Sequence, residues 1–429
     1  MTTVAPRLAD LLRLYALGAL PVQLRAWDGS EAGPDEAPLV IMRSPTALRR
    51  LLWQPGELGL AEAYIADELD IEGNLAEGLS SVWRSVAAHG VARPRATELA
   101  RAAVTALRLG AAGPRPSVPG APRARLRGSL HSAARDRAAV SHHYDLSNDF
   151  YALLLDESMA YSCGYWTQEE ARGYRLADAQ RDKLALICRK LGLRPGMRLL
   201  DIGCGWGSLS LYAAREHGVR VTAVAPSRQQ HGFVAARAQK ENLADAVDVQ
   251  LRHYRDIDEG GYDAVAAIEM GEHVGDTEYP AFAALLHHVL WPRGRALVQQ
   301  MSRGANAPGG GAFIETYIPP DMHMRPLGAT VGLLEEAGLE VRDVQALREH
   351  YASTLGAWHR TLDSRWEDVV ALVGEPTARV WRLYLAGSGL AFAERRMGVD
   401  QILAVRLTPE GESGMPAVLR RSDGDGGGR

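Results

Sequence analysis

The 429 residues are 46% hydrophobic and 23% charged, which excludes bulk disorder, and the length suits two domains better than one. Basic and acidic residues number 48 and 52, so the chain as a whole lacks the positive balance of a nucleic-acid binder. The charge is uneven, however: residues 92–138 hold ten Arg against Glu98 and Asp136, a net of +8, and the remainder sums to −12. Only Lys183, Lys190 and Lys240 are lysines, an Arg bias that GC-rich coding explains. Cys163, Cys188 and Cys204 form neither a disulfide framework nor a metal-ligand spacing, which fits a reducing cytoplasm. No run of 18 apolar residues predicts a membrane span, and the N-terminus lacks a signal pattern.

In chain order, Leu8–Leu20 has helical periodicity, and Pro21–Trp27 and Pro38–Met42 read as short strands around a polar turn, Asp28–Glu36. Asn74–Ala88 reads as a helix. Residues 107–128, rich in Pro, Gly and Arg, are expected to hold no regular structure and to act as a linker. Residues 175–193 predict a helix. Strands are then expected at Arg198–Ile202, Arg220–Ala225, Val247–Leu251, Ala264–Ile268 and Arg295–Gln299, with helices at Leu209–His217, Arg228–Glu241 and Ala281–Leu290. This alternation predicts an α/β fold: a doubly wound, Rossmann-like sheet preceded by a smaller mixed α/β domain. Domains are expected at 1–106 and 139–408 with a basic linker at 107–138, and the tail 409–429 is expected to be disordered.

The segment RLLDIGCGWGSLS places Asp201, Gly203, Gly205 and Gly207 between a strand and a helix, where glycines let a ligand approach the backbone. A dinucleotide fingerprint needs Gly at 208, which is Ser. The G-x-G-x-G spacing with an Asp two residues earlier resembles motif I of class I S-adenosylmethionine-dependent methyltransferases. The second strand ends in Ala225-Pro226-Ser227 without the usual ribose-binding acid, so the amide of Gln230 is a candidate for that hydrogen bond.

With SHHYDLSNDFYALLLD (141–156), MAYSCGYW (159–166), HYRDID (253–258) and IEMGEHVG (268–275), the chain resembles the cyclopropane-fatty-acyl-phospholipid synthase family over about residues 139–405. The resemblance implies that Tyr161 and Ser162, together with Gly203 and the glycine loop, contact the cofactor's methionine end, and that Asp201 is among the cofactor-binding residues. It also implies that Gln230 holds the ribose, that Tyr254 and Arg255 flank the adenine, and that Tyr144 lines the acyl channel. Cys163 and Glu272 match positions that help hold a bicarbonate ion acting as base in cyclopropane-forming relatives. Two other positions of that site differ: Gln299 stands where those relatives carry His, and His359 where they carry Tyr. The bicarbonate site is therefore altered rather than erased. By the same resemblance, residues 1–106 are a lipid-binding accessory domain, and a homodimer is plausible.

The implied nucleophile is a carbon–carbon double bond. Methyl transfer to it leaves a carbocation, which needs aromatic faces, exclusion of water and a base for one proton. Proton loss from the new methyl closes a cyclopropane ring; if a hydride shifts first, it gives a methylene branch, which a partner reductase can convert to a methyl branch. Gln299 and His359 change the base geometry and point to the methylene-branched product, with the ring as the alternative and His359 as a candidate base. Tyr161, Tyr165 and Trp166 are candidates for the cation-stabilising wall. Plainer readings stand beside these: Cys163 as a small buried residue, Glu272 as a helix cap, His142 and His143 as packing residues. The basic segment lacks the interleaved aromatics of nucleic-acid contact and better fits attraction to anionic phospholipid at the inner membrane face. A nucleic-acid methyltransferase or binding module is the reading from another class.

Overall fold

The computed structural model describes residues 3–14, 20–90, 92, 94–117, 120–124, 126–132, 135, 136, 139, 147–304 and 309–417. They divide into two compact units. The first holds residues 1–182, 303–324 and 347–399; the second holds 183–302, 325–346 and 400–429.

In the first unit, β1 (Gln23–Arg25), β2 (Glu31–Ala32), β3 (Leu39–Met42) and β4 (Leu69–Ile71) form a sheet in the order β2-β1-β3-β4. β1 and β3 run parallel, and both outer pairings are antiparallel. β2 falls inside the stretch expected to be only a turn: the polar residues reverse the chain and then pair back onto β1. The first helix spans Val4–Arg13 and buries Leu8 and Ala9, so it ends short of the expected Leu20; residues 15–19 lie outside the described ones. The Leu75–His89 helix matches expectation, capped by Asn74 Oδ1, which accepts from Ala76 N at 2.9 Å.

The expected linker is more ordered than its composition implies. Leu107–Ala111 continues the Ala96–Ala106 helix as a wider turn, because Leu109 and Ala111 bury into the N-terminal core and Gly110 supplies φ 91°. Two of its arginines are committed: Arg123 pairs with Glu62, and Arg135 Nε lies 2.6 Å from Asp321. The later helices of this unit are Asn148–Leu154, Ala312–Tyr317, Arg348–Ser364, Trp366–Val373 and Glu375–Ala393. Arg348–Ser364 buries Tyr351, Thr354, Leu355, Trp358 and Leu362, one face at helical spacing, and packs along Glu375–Ala393.

The second unit carries β5 (Arg198–Ile202), β6 (Arg220–Ala225), β7 (Val247–Leu251), β8 (Tyr262–Ile268), β9 (Leu290–Ser302), β10 (Leu339–Ala346) and β11 (Gly398–Arg406). Their order is β10-β11-β9-β8-β5-β6-β7. β5 to β9 run parallel, while β10 is antiparallel to β11. Apolar runs such as Leu199–Leu200 and Ala264–Ala267 are buried because helices cover both faces, as expected for the doubly wound class. The chain order reverses between β5 and β8, and open α/β sheets bind ligands at such a switch point, outside the strands' carboxyl ends. The tail is fixed beyond Pro409, contrary to expectation: Thr408 N donates to Glu412 O at 3.0 Å and Arg342 reaches Ser413 Oγ at 2.9 Å. Residues 418–429 lie outside the described ones. No helix among the described residues is long and apolar enough to cross a membrane.

Candidate active site

At the carboxyl end of β5 the chain turns through the glycine loop into the Ser208–His217 helix. Val224 O on β6 accepts from Gly203 N at 2.9 Å and Cys204 N at 3.1 Å, folding the loop toward the neighbouring strand. A Cβ at Gly203 would stand 2.9 Å from Met270 Cγ, and one at Gly207 2.7 Å from Val234 Cγ1, so packing excludes side chains at both. A Cβ at Gly205 would meet nothing within 4 Å, which leaves an open cradle over the backbone. Asp201 is buried, and its carboxylate accepts from Ser210 Oγ at 2.6 Å. Burial pushes Asp201 up to about 6, with Ser210 and Lys183 opposing. Its bond to Ser210 fastens the strand to the helix that the loop feeds.

Gln230 lies buried in the first turn of the Arg228–Lys240 helix, where Ser227 Oγ accepts from its backbone N–H at 3.3 Å. No acid stands at that strand end. After β7, the Tyr254–Asp256 turn sets the Arg255 guanidinium 5.0 Å over the Tyr254 ring and 3.5 Å from Glu278.

β8 delivers two acids at the switch point. Glu272 is fully buried; its Oε1 accepts from Met301 N, and its Oε2 has no hydrogen-bond partner among the described residues. Burial first, then the charge of Glu269, pushes its carboxyl up to about 8. Arg325, also buried, donates to Val274 O at 2.5 Å and sits 2.6 Å from Asp276, which holds the turn that carries Glu272. Gln299, in the last third of β9, is engaged at both ends of its amide: Nε2 donates to Glu269 Oε1 at 2.8 Å, and Oε1 accepts from Gln401 Nε2 at 2.9 Å.

The sign of the Glu272 shift has a measurable consequence. The folded state keeps a proton that the unfolded chain releases above about pH 4.5, so this carboxyl costs stability progressively as pH rises from about 4.5 to about 8. Glu272→Gln is therefore expected to be more stable than the parent at pH 8, by roughly several kcal/mol, with the gap closing toward pH 4.5. Urea unfolding across that range checks it; a pH-independent gap contradicts the buried-carboxyl account.

In the first unit, Tyr161 joins an aromatic cluster with Tyr151, Trp358 and Trp381 at centroid distances of 5.6, 5.2 and 6.1 Å, and shares a 3.1 Å hydrogen bond with Tyr384. This corrects the expected wall. Tyr165 packs instead on His350, and Trp166 donates to Thr354 Oγ1 and packs on Tyr174, because consecutive residues of an extended loop face different neighbours. Ser162 is buried, and its carbonyl accepts from Gln180 Nε2 at 2.8 Å. The Cys163 thiol is buried and donates to the carbonyls of Gly164 and Leu347 at 3.2 and 3.7 Å. His359 Nε2 is buried without a hydrogen-bond partner among the described residues, and burial holds the imidazole below its ordinary range, so it is neutral at pH 7. Tyr144, His142 and His143 lie outside the described residues.

The structure thus groups Asp201, the three glycines, Gln230, Tyr254, Arg255, Glu272 and Gln299 in the second unit, and Tyr161, Ser162, Cys163 and His359 in the first. Sequence reasoning passed over Glu269, Gln401, Arg325, Trp358 and Trp381. Glu269 alone carried a local signal, an acid directly after a strand within the IEMGEHVG motif. Among the described residues no group of three or more His, Cys, Asp or Glu can hold a metal ion.

An open glycine cradle after β5, a dinucleotide fingerprint that is absent, and a buried amide where a ribose acid would stand fit S-adenosyl-L-methionine. Fold and site define an S-adenosylmethionine-dependent methyltransferase. The mycolic acid cyclopropane synthetase family model matches residues 131–402. A protein of Mycobacterium tuberculosis named a probable fatty acid methyltransferase is 37% identical over 430 residues, 97% of this chain and 98% of its own. The tuberculostearic acid methyltransferase UfaA1 of the same organism is 32% identical over 403 residues, 91% of this chain and 89% of its own. The crystal structure of a mycolic acid cyclopropane synthase complexed with SAH and CTAB has a TM-score of 0.58 at 31% identity, covering 62% of this chain and 97% of its own. The chain belongs to the mycolic acid cyclopropane synthetase family, and its cofactor is S-adenosyl-L-methionine.

Proposed function

We propose that the protein methylates the double bond of an unsaturated fatty acyl chain, carried on a phospholipid, and releases a methylene-branched chain. The relatives named as fatty acid methyltransferases, similar along nearly the whole chain, support the acyl substrate. The observation that carries the product reading is Gln299, whose amide binds Glu269 and Gln401 where cyclopropane-forming relatives use a His to hold bicarbonate.

S-adenosylmethionine, when bound, supplies an electrophilic methyl group. The glycine loop seats it, Gln230 holds its ribose, and Tyr254 with Arg255 flanks its adenine. The ring of Tyr161, only partly buried and backed by the buried Trp358 and Trp381, stabilises a cation on the acyl chain. An exocyclic methylene product implies a later reduction by a hydride donor. Approach to an anionic bilayer is supported by the Ala96–Ala106 helix and its extension, which expose Leu99, Val104 and Leu107 beside Arg101 and Arg108.

Incubation with vesicles of unsaturated phospholipid and methyl-labelled cofactor tests this. The branched and ring products have equal mass, so NMR of the released acyl chain decides between them. Vinylidene protons are expected. Ring protons at high field overturn the product reading, and an absence of label in lipid overturns the substrate. Faster labelling of anionic than zwitterionic vesicles, diminishing with salt, is the expected signature of the surface approach.

A further inference from the structure

Glu269 occupies an unusual position in the second unit. It follows β8 directly, at the switch point, and the next residue, Met270, packs against Gly203 of the cofactor loop. Its φ is 52°, a conformation non-glycine residues rarely adopt, and such strain persists where surrounding structure over-determines it. Here the determinant is Gln299. The Glu269 N–H donates to Gln299 O at 2.6 Å, and the Glu269 carboxylate accepts from Gln299 Nε2 at 2.8 Å. Gln401 Nε2 donates to Gln299 Oε1 at 2.9 Å, which leaves the NH2 of Gln299 facing Glu269.

We propose that the Glu269 carboxylate is the proton acceptor of the reaction, a built-in replacement for the bicarbonate ion. The inference rests on the acyl-methylation reading above. Where relatives carry a His that helps hold a free carboxylate-like anion, this chain carries an amide that holds a carboxylate attached to its own backbone. The neighbouring acid does not compete. Glu272 is sealed from solvent and retains its proton toward neutral pH, whereas Glu269 is half-buried and reachable.

The step balances without an added reagent. The alkene π pair forms the new carbon–carbon bond as the methyl's bond to sulfur breaks and its pair stays on sulfur. A hydride shift moves the cation to the methyl-bearing carbon. The methyl then loses a proton to Glu269, its C–H pair becoming the exocyclic double bond, and the carboxyl returns the proton to water.

The parent protein, Glu269→Gln and Glu269→Gly are compared on unsaturated phospholipid vesicles in carbonate-free buffer, with and without added bicarbonate. Calorimetric binding of S-adenosylhomocysteine and thermal unfolding are measured in parallel. Gln is isosteric, and Gly relieves the positive φ, so both variants should fold. The parent is expected to turn over without bicarbonate. Glu269→Gln should lose about 100-fold or more in rate with unchanged S-adenosylhomocysteine affinity, and Glu269→Gly should regain activity with bicarbonate. A parent that requires bicarbonate, a Glu269→Gln variant near parental rate, or a loss of affinity that accounts for the loss of rate overturns the inference alone. A parent that labels no acyl chain overturns the functional reading and this inference with it.

Discussion

Replacing Gly205 with Val is expected to weaken cofactor binding by about 100-fold while leaving the protein folded. The position has φ 55°, so a β-branched residue there costs roughly 1–2 kcal/mol of stability. Its side chain would project into open space, so no neighbouring atom resists it. The added methyl groups instead fill the cradle that ligand atoms would enter. An affinity loss of about 100-fold, near 3 kcal/mol, is the expected scale. Gly196→Val is the matched control. Gly196 also has positive φ, 84°, with nothing within 4 Å of its Cβ position, but it precedes β5 at the opposite end of the strand. Both variants should lose similar stability, and only Gly205→Val should lose S-adenosylhomocysteine binding by calorimetry. Equal affinity in the two would show that the cradle does not hold the cofactor.

The second large effect concerns the first unit. Trp381 is buried against Phe150 at 4.8 Å, Tyr384 at 5.5 Å and Tyr151 at 5.6 Å between ring centroids. Truncation to Ala leaves a cavity among rings that cannot collapse without leaving their own contacts, and about 3–5 kcal/mol of destabilisation is expected. Trp291, 57% exposed, gives the contrast: its truncation should stay within about 0.5 kcal/mol. Urea titration followed by circular dichroism separates the two. Similar midpoints for both variants would refute the assignment of Trp381 to a tightly packed aromatic core.

What could be read from the sequence follows from how far each signal reaches along the chain. The strands from Arg198 to Ile268 and the glycine loop are local patterns: an apolar run, a turn, an amphipathic helix. The sequence predicts β9 only at Arg295–Gln299, whereas the strand runs from Leu290 through Pro292 and Gly294, passing Arg293 at φ 69°. β10 and β11 went unread because their partners are distant in sequence. The same holds within the candidate site. Glu272 stood in a recognisable motif, but the importance of Glu269 comes from Gln299, thirty positions on, and from Gln401, more than a hundred further. The aromatic cluster joins Tyr151 and Tyr161 to Trp358 and Trp381, a pairing that no local periodicity encodes.

β11 lies inside the sheet, between β9 and β10, although it is the last strand among the described residues. Throughout synthesis, therefore, the facing edges of β9 and β10 have no partner until residues 398–406 leave the ribosome. The strand that closes them is buried and apolar, with Val399, Ile402, Leu403 and Val405. Exposed strand edges recruit other chains. A nascent or prematurely terminated copy ending before residue 398 is thus a template for aggregation, and Gln401, the donor that orients Gln299, arrives on that same strand. Completion of the sheet and delivery of the Gln299 amide's donor therefore fall to the same strand.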